Sequence, residues 1–423
     1  MKIKSYPLLM IILCASFLFY KYILQVYPSV ITDSLRENFK LSGTGLGNLA
    51  ATFYYAYMIM QLFAGPLIDK WGVRKNGSIA FGLSAIGLII FAGSTHILGA
   101  NLSRALMGIG VSFSTIVYMK TAAVWFSPKR YSIMGGLLVT AAMGGAVFGT
   151  APLAFFMSLW GWREVLAAIG VIGLVLTLLF WLLVKDHPPT DAQHEKTAEP
   201  HLPVTRHMIY EVLKDKRNWM LTLYTGFAFS PLAVLAGLWG NPFLQTAYHL
   251  NVSDAGSLIS LSFIGLGIGS PLLGMLSNWY SRFSILYISG ILSLISVLIV
   301  LYIPHLSFAV LGILLFSFGF FLGSFMLVFT IGKEINSLAV TATVVAMINA
   351  SDAFLDAFTE PAIGKFLDWH ATGSTKNGLE VFNTADYHVA LAILPLYLCL
   401  SLVCLMLFQW FQSQKDRNHT AMA

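Results

Sequence analysis

The sequence predicts an all-α membrane protein with twelve transmembrane helices in two pseudo-symmetric six-helix halves. Three observations predict it. Only 10% of the 423 residues are charged and 57% are hydrophobic, with a mean hydropathy of +0.75. A water-soluble domain carries about 25% charged residues, so this chain has too little polar surface to face water. Apolar stretches long enough to cross a hydrocarbon core of ~30 Å recur twelve times. A motif of the first half also returns 209 residues later. The same composition excludes disorder and a nucleic-acid module.

In chain order the predicted spans are about 7–31, 45–67, 77–95, 97–124, 131–158, 163–185, 219–247, 255–276, 283–303, 306–332, 340–367 and 386–411. Lys2 and Lys4 precede the first, as in a signal peptide. That stretch runs too long, lacks a small-x-small cleavage site and continues through Tyr20, Tyr22 and Pro28, so it reads as an uncleaved helix. Cys14, Cys399 and Cys404 lie in apolar runs and imply no disulfide framework. The histidines have no zinc-site spacing, so no metal is expected. Between spans 6 and 7, residues 186–217 hold Pro188, Pro189, Pro200 and Pro203 among polar residues and read as a linker. It divides the chain into halves 1–185 and 218–423.

Orientation follows from lysine and arginine. With both termini cytoplasmic, 17 of the 25 Lys and Arg fall on the cytoplasmic side, among them Lys70, Arg74, Lys75, Lys185, Lys214, Arg217, Arg282 and Lys415. Arg36, Lys40, Arg163 and Lys376 fall outside, and Lys21, Arg104, Lys120 and Lys365 within helices. The net charge of +6 is therefore mostly a topology signal.

The repeat pairs Gly65-Pro-Leu-Ile-Asp69-Lys-Trp-Gly72-Val-Arg74-Lys75 with Gly274-Met-Leu-Ser-Asn278-Trp-Tyr-Ser281-Arg282. Two homologous halves meeting around a midplane cavity is a transporter architecture. The first copy resembles the signature G-x-L-x-D-x-x-G-R-K of the major facilitator superfamily. Arg104-Ala-Leu-Met-Gly108-Ile-Gly110 is similar to that family's R-x-x-x-G-x-G, and Trp160-Gly161-Trp162-Arg163 to its Gly-Trp-Arg. The resemblance implies the major facilitator fold, and a conformational gate at Gly65, Asp69, Gly72 and Arg74 whose acid caps a neighbouring helix in one state only. Phe19 to Val30 further resembles the first helix of bacterial members that include the phagosomal transporter family of intracellular pathogens. One departure is in span 5, where Thr150 and Ala151 separate Gly149 from Pro152, unlike the drug-antiporter motif.

Charges at membrane depth cost about 2.5–3.5 kcal/mol each on insertion scales and so mark function. Span 11 carries Asn349, Asp352, Asp356 and Glu360 on one helical stripe. Two carboxylates one turn apart in a low dielectric do not both ionise readily, because desolvation and like charge oppose the charged form. Such a pair titrates as a unit. Asp352 and Asp356 are thus the proton-coupling candidates, unless they permanently neutralise Lys21 or Arg104. Glu360 and Asp368, nearer the outer surface, are weaker ones.

Lys21 shares a face of span 1 with Cys14, Gln25, Pro28 and Thr32, too deep to snorkel cheaply. It either meets a substrate carboxylate or phosphate, or forms a gating ion pair with Asp352 or Asp356. Arg104 lines a cavity or hydrogen-bonds carbonyls of span 1, and Lys120 snorkels. Tyr54, Tyr55, Tyr57 and Gln61 occupy span 2. In span 7, Pro231 and Pro242 are expected breaks, and Asn241 sits beside the second, where a broken helix exposes backbone to a cavity. The substrate-binding candidates are therefore Lys21, Gln25, Tyr54, Arg104, Asn241 and Asn349.

No Gly-x4-Gly-Lys-Ser/Thr occurs, and no nucleophile-base set or haem motif, so neither enzyme chemistry nor a cofactor is expected. The expected function is secondary active transport of a small polar metabolite, such as an amino acid or small peptide, across a bacterial inner membrane. The expected partners are that substrate, a proton (sodium being the alternative) and the bilayer, with the chain a monomer. The rivals are a proton-driven efflux antiporter for drugs or a siderophore, and a non-transporting receptor or scaffold.

Overall fold

The computed structural model describes residues 6–187, 206–337, 340–371, 375–376 and 379–422. Most of the predicted linker, 188–205, lies outside them, as do Lys2, Lys4 and Lys196. The spans are α1 (Tyr6–Val30), α2 (43–71), α3 (73–93), α4 (Ile97–Trp125), α5 (Met134–Trp160), α6 (Trp162–Leu183), α7 (Lys216–Tyr248), α8 (Val252–Leu276), α9 (Arg282–Tyr302), α10 (Phe308–Glu334), α11 (Thr341–His370) and α12 (Thr384–Lys415). Among the described residues ten helical stretches are long and apolar enough to cross a membrane, and one of them, Gly43–Gly93, supplies two spans on either side of Gly72. The 30-residue α11 is long enough but carries more charge than the others.

Local sequence accounts for the interruptions. The residues between the second and third predicted spans, 68–76, are helical up to a single turning residue, Gly72 at φ 80° and ψ 167°, which separates α2 from α3. That backbone is open to glycine. Pro28 starts a short 3-10 turn, Tyr27–Val30, which ends α1. In α7 the break is a π turn at Leu235–Trp239, between the two prolines, while Pro231 lies inside the preceding helix. The end of the predicted linker is helical at Arg206–Lys214. Ahead of α12, strands β1 (Thr375–Lys376) and β2 (Leu379–Glu380) pair antiparallel.

The described residues pack into two compact units. The first falls within 1–193, 234–264 and 357–390, and the second within 194–233, 265–356 and 391–423. In the first, Phe17 stacks on Phe81 at 4.5 Å between centroids, joining α1 to α3. The second has its core at Leu221, Leu286, Val328, Ile348 and Leu405. There Arg217 holds Asp215 through Nη2 at 2.6 Å and Gln412 through Nη1 at 2.6 Å. Burial by itself pushes the Asp215 carboxyl up, but the Arg217 bonds and the nearby Lys415 hold it below its ordinary value.

Candidate functional site

Within the first unit, Lys21 is 7% exposed. Its Nζ donates to the Tyr57 hydroxyl at 3.3 Å and lies 4.7 Å and 5.1 Å from the Tyr57 and Tyr22 ring centroids. Among the described residues it forms no ion pair. One turn along α1, Gln25 Nε2 donates to the Tyr54 hydroxyl at 3.4 Å. Lys21, Gln25 and Tyr54 thus come together as one polar patch between α1 and α2, with Tyr57 added.

Arg104 is buried beside this patch, and its guanidinium donates to the carbonyls of Leu24 at 2.9 Å and Ala50 at 3.2 Å. Phe53 and Tyr27 cover its faces, with Cζ 4.7 Å and 5.5 Å from their centroids. It ties α1, α2 and α4 together. Asn241 is fully buried, donates to the Val252 carbonyl at 3.2 Å and accepts from Gln245 at 2.7 Å, which links α7 to the start of α8.

Asn349, Asp352 and Asp356 belong to the second unit, on the continuous helix α11. Asp352 accepts from the Ala353 amide at 2.7 Å and Asp356 is 2% exposed.

At the gate motif, a Cβ on Gly72 would lie 2.5 Å from the Asp186 carboxylate, which accepts from the Arg74 amide at 3.0 Å. Arg74 Nε donates to the Trp181 carbonyl at 2.7 Å. Beyond its own helix backbone and chain neighbours, no atom of the described residues lies within 4 Å of a Cβ built on Gly65. The exposed Asp69 carboxylate takes the Lys120 ammonium at 2.5 Å, so Lys120 is an ion-pair partner and not merely a snorkelling residue. Such an exposed pair is worth about 0–1 kcal/mol, weak enough to be broken and remade. If Asp69 serves the gate that the resemblance implies, Asp69→Asn is expected to slow transport strongly while equilibrium ligand affinity changes less than about threefold, because a gate acts on the balance of states and not on the pocket. A comparable loss of affinity and rate would place Asp69 elsewhere.

At the end of α2 opposite the 65–75 motif, expected to be the outer end, the first unit contains a closely packed seam. A Cβ on Gly47 of α2 would lie 2.5 Å from the Glu360 carbonyl and 2.7 Å from Pro361 Cα. Gly364 likewise faces the Gly43 backbone. Small residues let the two helices touch backbone to backbone. Asp368 closes the contact by accepting from the Gly43 and Thr44 amides at 2.6 Å and 2.7 Å and from the Thr44 hydroxyl at 2.6 Å. A carboxylate there complements the partial positive charge of the α2 N-terminus. A second tie joins α5 to α8, where the Thr150 and Ser260 hydroxyls are 2.5 Å apart. Glu360 is 1% exposed, and the Trp239 indole donates to its carbonyl at 3.3 Å. The sequence offers Glu360 and Asp368 only as weaker coupling candidates and does not foresee that Asp368 ties α11 to α2. The signal available for them was the spacing of Gly364 and Asp368, one turn apart on α11, against Gly43 and Gly47 on α2.

The family model of the Major Facilitator Superfamily matches residues 9–368. A "Probable L-galactonate transporter" of Escherichia coli (strain K12) is 27% identical over 264 residues, 59% of this chain and 57% of that one. A "Probable sulfoacetate transporter SauU" of Cupriavidus necator is 25% identical over 290 residues, 66% of each chain. The matches therefore span about three fifths of the length of these curated relatives. A solved bacterial homologue of the human lysosomal transporter Spinster, in an inward-facing and occupied conformation, superposes with a TM-score of 0.77 at 16% identity. That superposition covers 96% of this chain and 97% of the other. By the match of the family model over residues 9–368, the chain belongs to the major facilitator superfamily.

Proposed function

We propose that the chain is a secondary active transporter that takes up a small polar organic anion with protons, by alternating access, across a bacterial inner membrane. The observation that carries it is Lys21. Its buried ammonium has aromatic and hydroxyl neighbours and no ion pair among the described residues. A charge held in such surroundings is costly unless a ligand completes it. Gln25 and Tyr54 beside it offer neutral donors and acceptors suited to hydroxyl groups. Two relatives whose names give hydroxylated or sulfonated carboxylates as substrates support an anion. Arg104 adds positive potential at the patch, while Asn241 and Asn349 are the proposed polar contacts from the second half. A zwitterion, an amino acid or small peptide, is the second reading, favoured by the Asp352 and Asp356 carboxylates as partners for an ammonium group.

The test is a thermal-shift screen of the purified protein with sugar acids, sulfonates, amino acids, small peptides and nucleosides, followed by flux in proteoliposomes. Stabilisation by anionic or zwitterionic compounds alone is expected. Stabilisation only by uncharged or cationic ones would remove Lys21 from the site.

Asp352 and Asp356 are the proposed coupling pair. Asp352→Asn and Asp356→Asn are each expected to lower accumulation driven by an inward proton gradient by about tenfold or more while counterflow exchange continues. Full gradient-driven accumulation in both variants would move coupling away from this pair. The halves 1–185 and 218–423 are proposed to move as two bodies in a monomer, with both termini and the 186–217 linker in the cytoplasm. A reporter fused after Lys415 is expected to be active only on the cytoplasmic side, and periplasmic activity would reverse that topology.

A further inference from the structure

Glu360 is an acid buried on α11. Its carboxyl is buried with the rest of the residue, and Oε2 has no hydrogen-bond partner among the described residues. A Cβ placed on Gly237, in the π turn of α7, would have the Tyr54 hydroxyl at 3.6 Å and Glu360 Oε1 at 3.8 Å. The carboxyl therefore points into the break of α7, next to the Lys21–Gln25–Tyr54 patch. The charged and titratable groups whose fields reach it are Arg104 from α4 and Tyr55 from α2, the Tyr54 hydroxyl of α2 lies by the same Gly237 position, and on its own helix Asp356 is one turn back.

The Arg104 guanidinium does not pair with it. It donates to the Leu24 and Ala50 carbonyls and leaves Nε without a partner, just as Glu360 leaves Oε2. Two opposite full charges confined in one dry region are expected to close into a direct pair, because neither has water to compensate it. Their separation fits a cationic Arg104 beside a neutral Glu360. The burial of Glu360 also depends on the seam: its own carbonyl is what Gly47 packs against and what Trp239 holds. Parting α2 from α11 at Gly47 would open the carboxyl to water.

We propose that Glu360 is a proton-binding site filled when the outer seam closes, so that a proton acquired from the outer face holds the seam shut. This rests on the reading of the chain as a proton-coupled carrier and sharpens it, because the proton then promotes the outward-to-inward step directly. Protonation favours the closed seam and ionisation favours the open one, so acidification must close it. The assignment is separate from that of Asp352 and Asp356, the proposed coupling pair, in that it acts on the seam between α2 and α11.

The test uses Ser260→Cys, a near-isosteric change at the α5–α8 tie, where Ser260 is 6% exposed, in a chain whose Cys14, Cys399 and Cys404 are replaced by alanine so that a single thiol reports. The purified full chain, without substrate, is alkylated with a polar maleimide between pH 5 and 9, each rate normalised to unfolded protein at the same pH. With Glu360 present, alkylation is expected to slow by at least about fivefold from pH 9 to pH 5, a typical size for coupling between sites. In Glu360→Gln, and in Glu360→Met should the amide fail to fold, it is expected to be slow and flat across the range. A flat profile with Glu360 present, or an unchanged pH dependence in both variants, overturns the proposal. Flux measured in parallel separates it from the reading it rests on. If uptake ignores the proton gradient while alkylation still follows pH through Glu360, coupled transport fails and the site stands.

Discussion

Lys21→Met is expected to abolish uptake without unfolding the protein. In the folded chain the ammonium is buried against Tyr22 and Tyr57 and forms no ion pair among the described residues, so it stabilises little. Replacing an uncompensated buried charge by an apolar side chain of similar length removes a desolvation cost, and Tm should hold or rise by a few degrees. If the ammonium meets the anionic group of the substrate, losing it costs about 2–5 kcal/mol. That is roughly 30- to 4000-fold in affinity. Lys21→Arg should recover part of the binding, because the charge remains while the planar fork misplaces it. The measurements are ligand affinity by thermal shift or calorimetry, uptake in proteoliposomes, and Tm of the unliganded protein. Retained affinity in Lys21→Met would end the anion-site reading. A large fall in Tm would show that the lysine is structural.

Gly47→Leu is expected to hold the outer seam open and stop turnover while leaving outer ligand access intact. Even the first carbon of a side chain would sit 2.5 Å from the Glu360 carbonyl and 2.7 Å from Pro361 Cα. Both are backbone atoms and cannot turn aside, so α2 and α11 must separate. Overpacking of this kind costs about 1–3 kcal/mol, and every unit of it falls on the closed state alone. A shift of that size lowers the closed population by roughly 5- to 150-fold. Gly47→Ala should lie between the two. Uptake and the alkylation rate of Ser260→Cys in the same background check it. Normal turnover with Gly47→Leu would mean that transport does not pass through this contact.

The sequence makes the membrane class and the span count readable because both depend on composition summed over about twenty residues, which tolerates local error. The Lys21, Gln25 and Tyr54 patch is readable for another reason. A charge in a span is expensive wherever the fold puts it, and residues one helical turn apart share a face without any knowledge of neighbours. What resists reading depends on partners distant in the chain. Asp368 and Gly43 are 325 positions apart, and Asp69 and Lys120 are 51 apart. Nothing local says that an acid near the end of α11 will cap α2 instead of facing water. The kink at Gly72 was hidden differently. Polar residues there separate the two predicted spans, but the backbone needs only one residue at positive φ to turn while staying helical on both sides. The π turn of α7 likewise lies between two prolines and at neither of them.

The position of Arg104 has a consequence for biogenesis. Its two carbonyl partners, Leu24 and Ala50, both precede it in the chain. Once the fourth span has left the ribosome, every atom of that three-helix knot has been synthesised, with the second half still unmade. Chains assemble their N-terminal parts first during synthesis. The guanidinium, which pays heavily to sit alone in lipid, gains its acceptors without waiting for any later helix. The first four spans are therefore expected to form a protease-resistant assembly intermediate on truncated nascent chains, and Arg104→Leu to lose that protection at the stage when α4 enters the membrane, well before any transport step could report the defect.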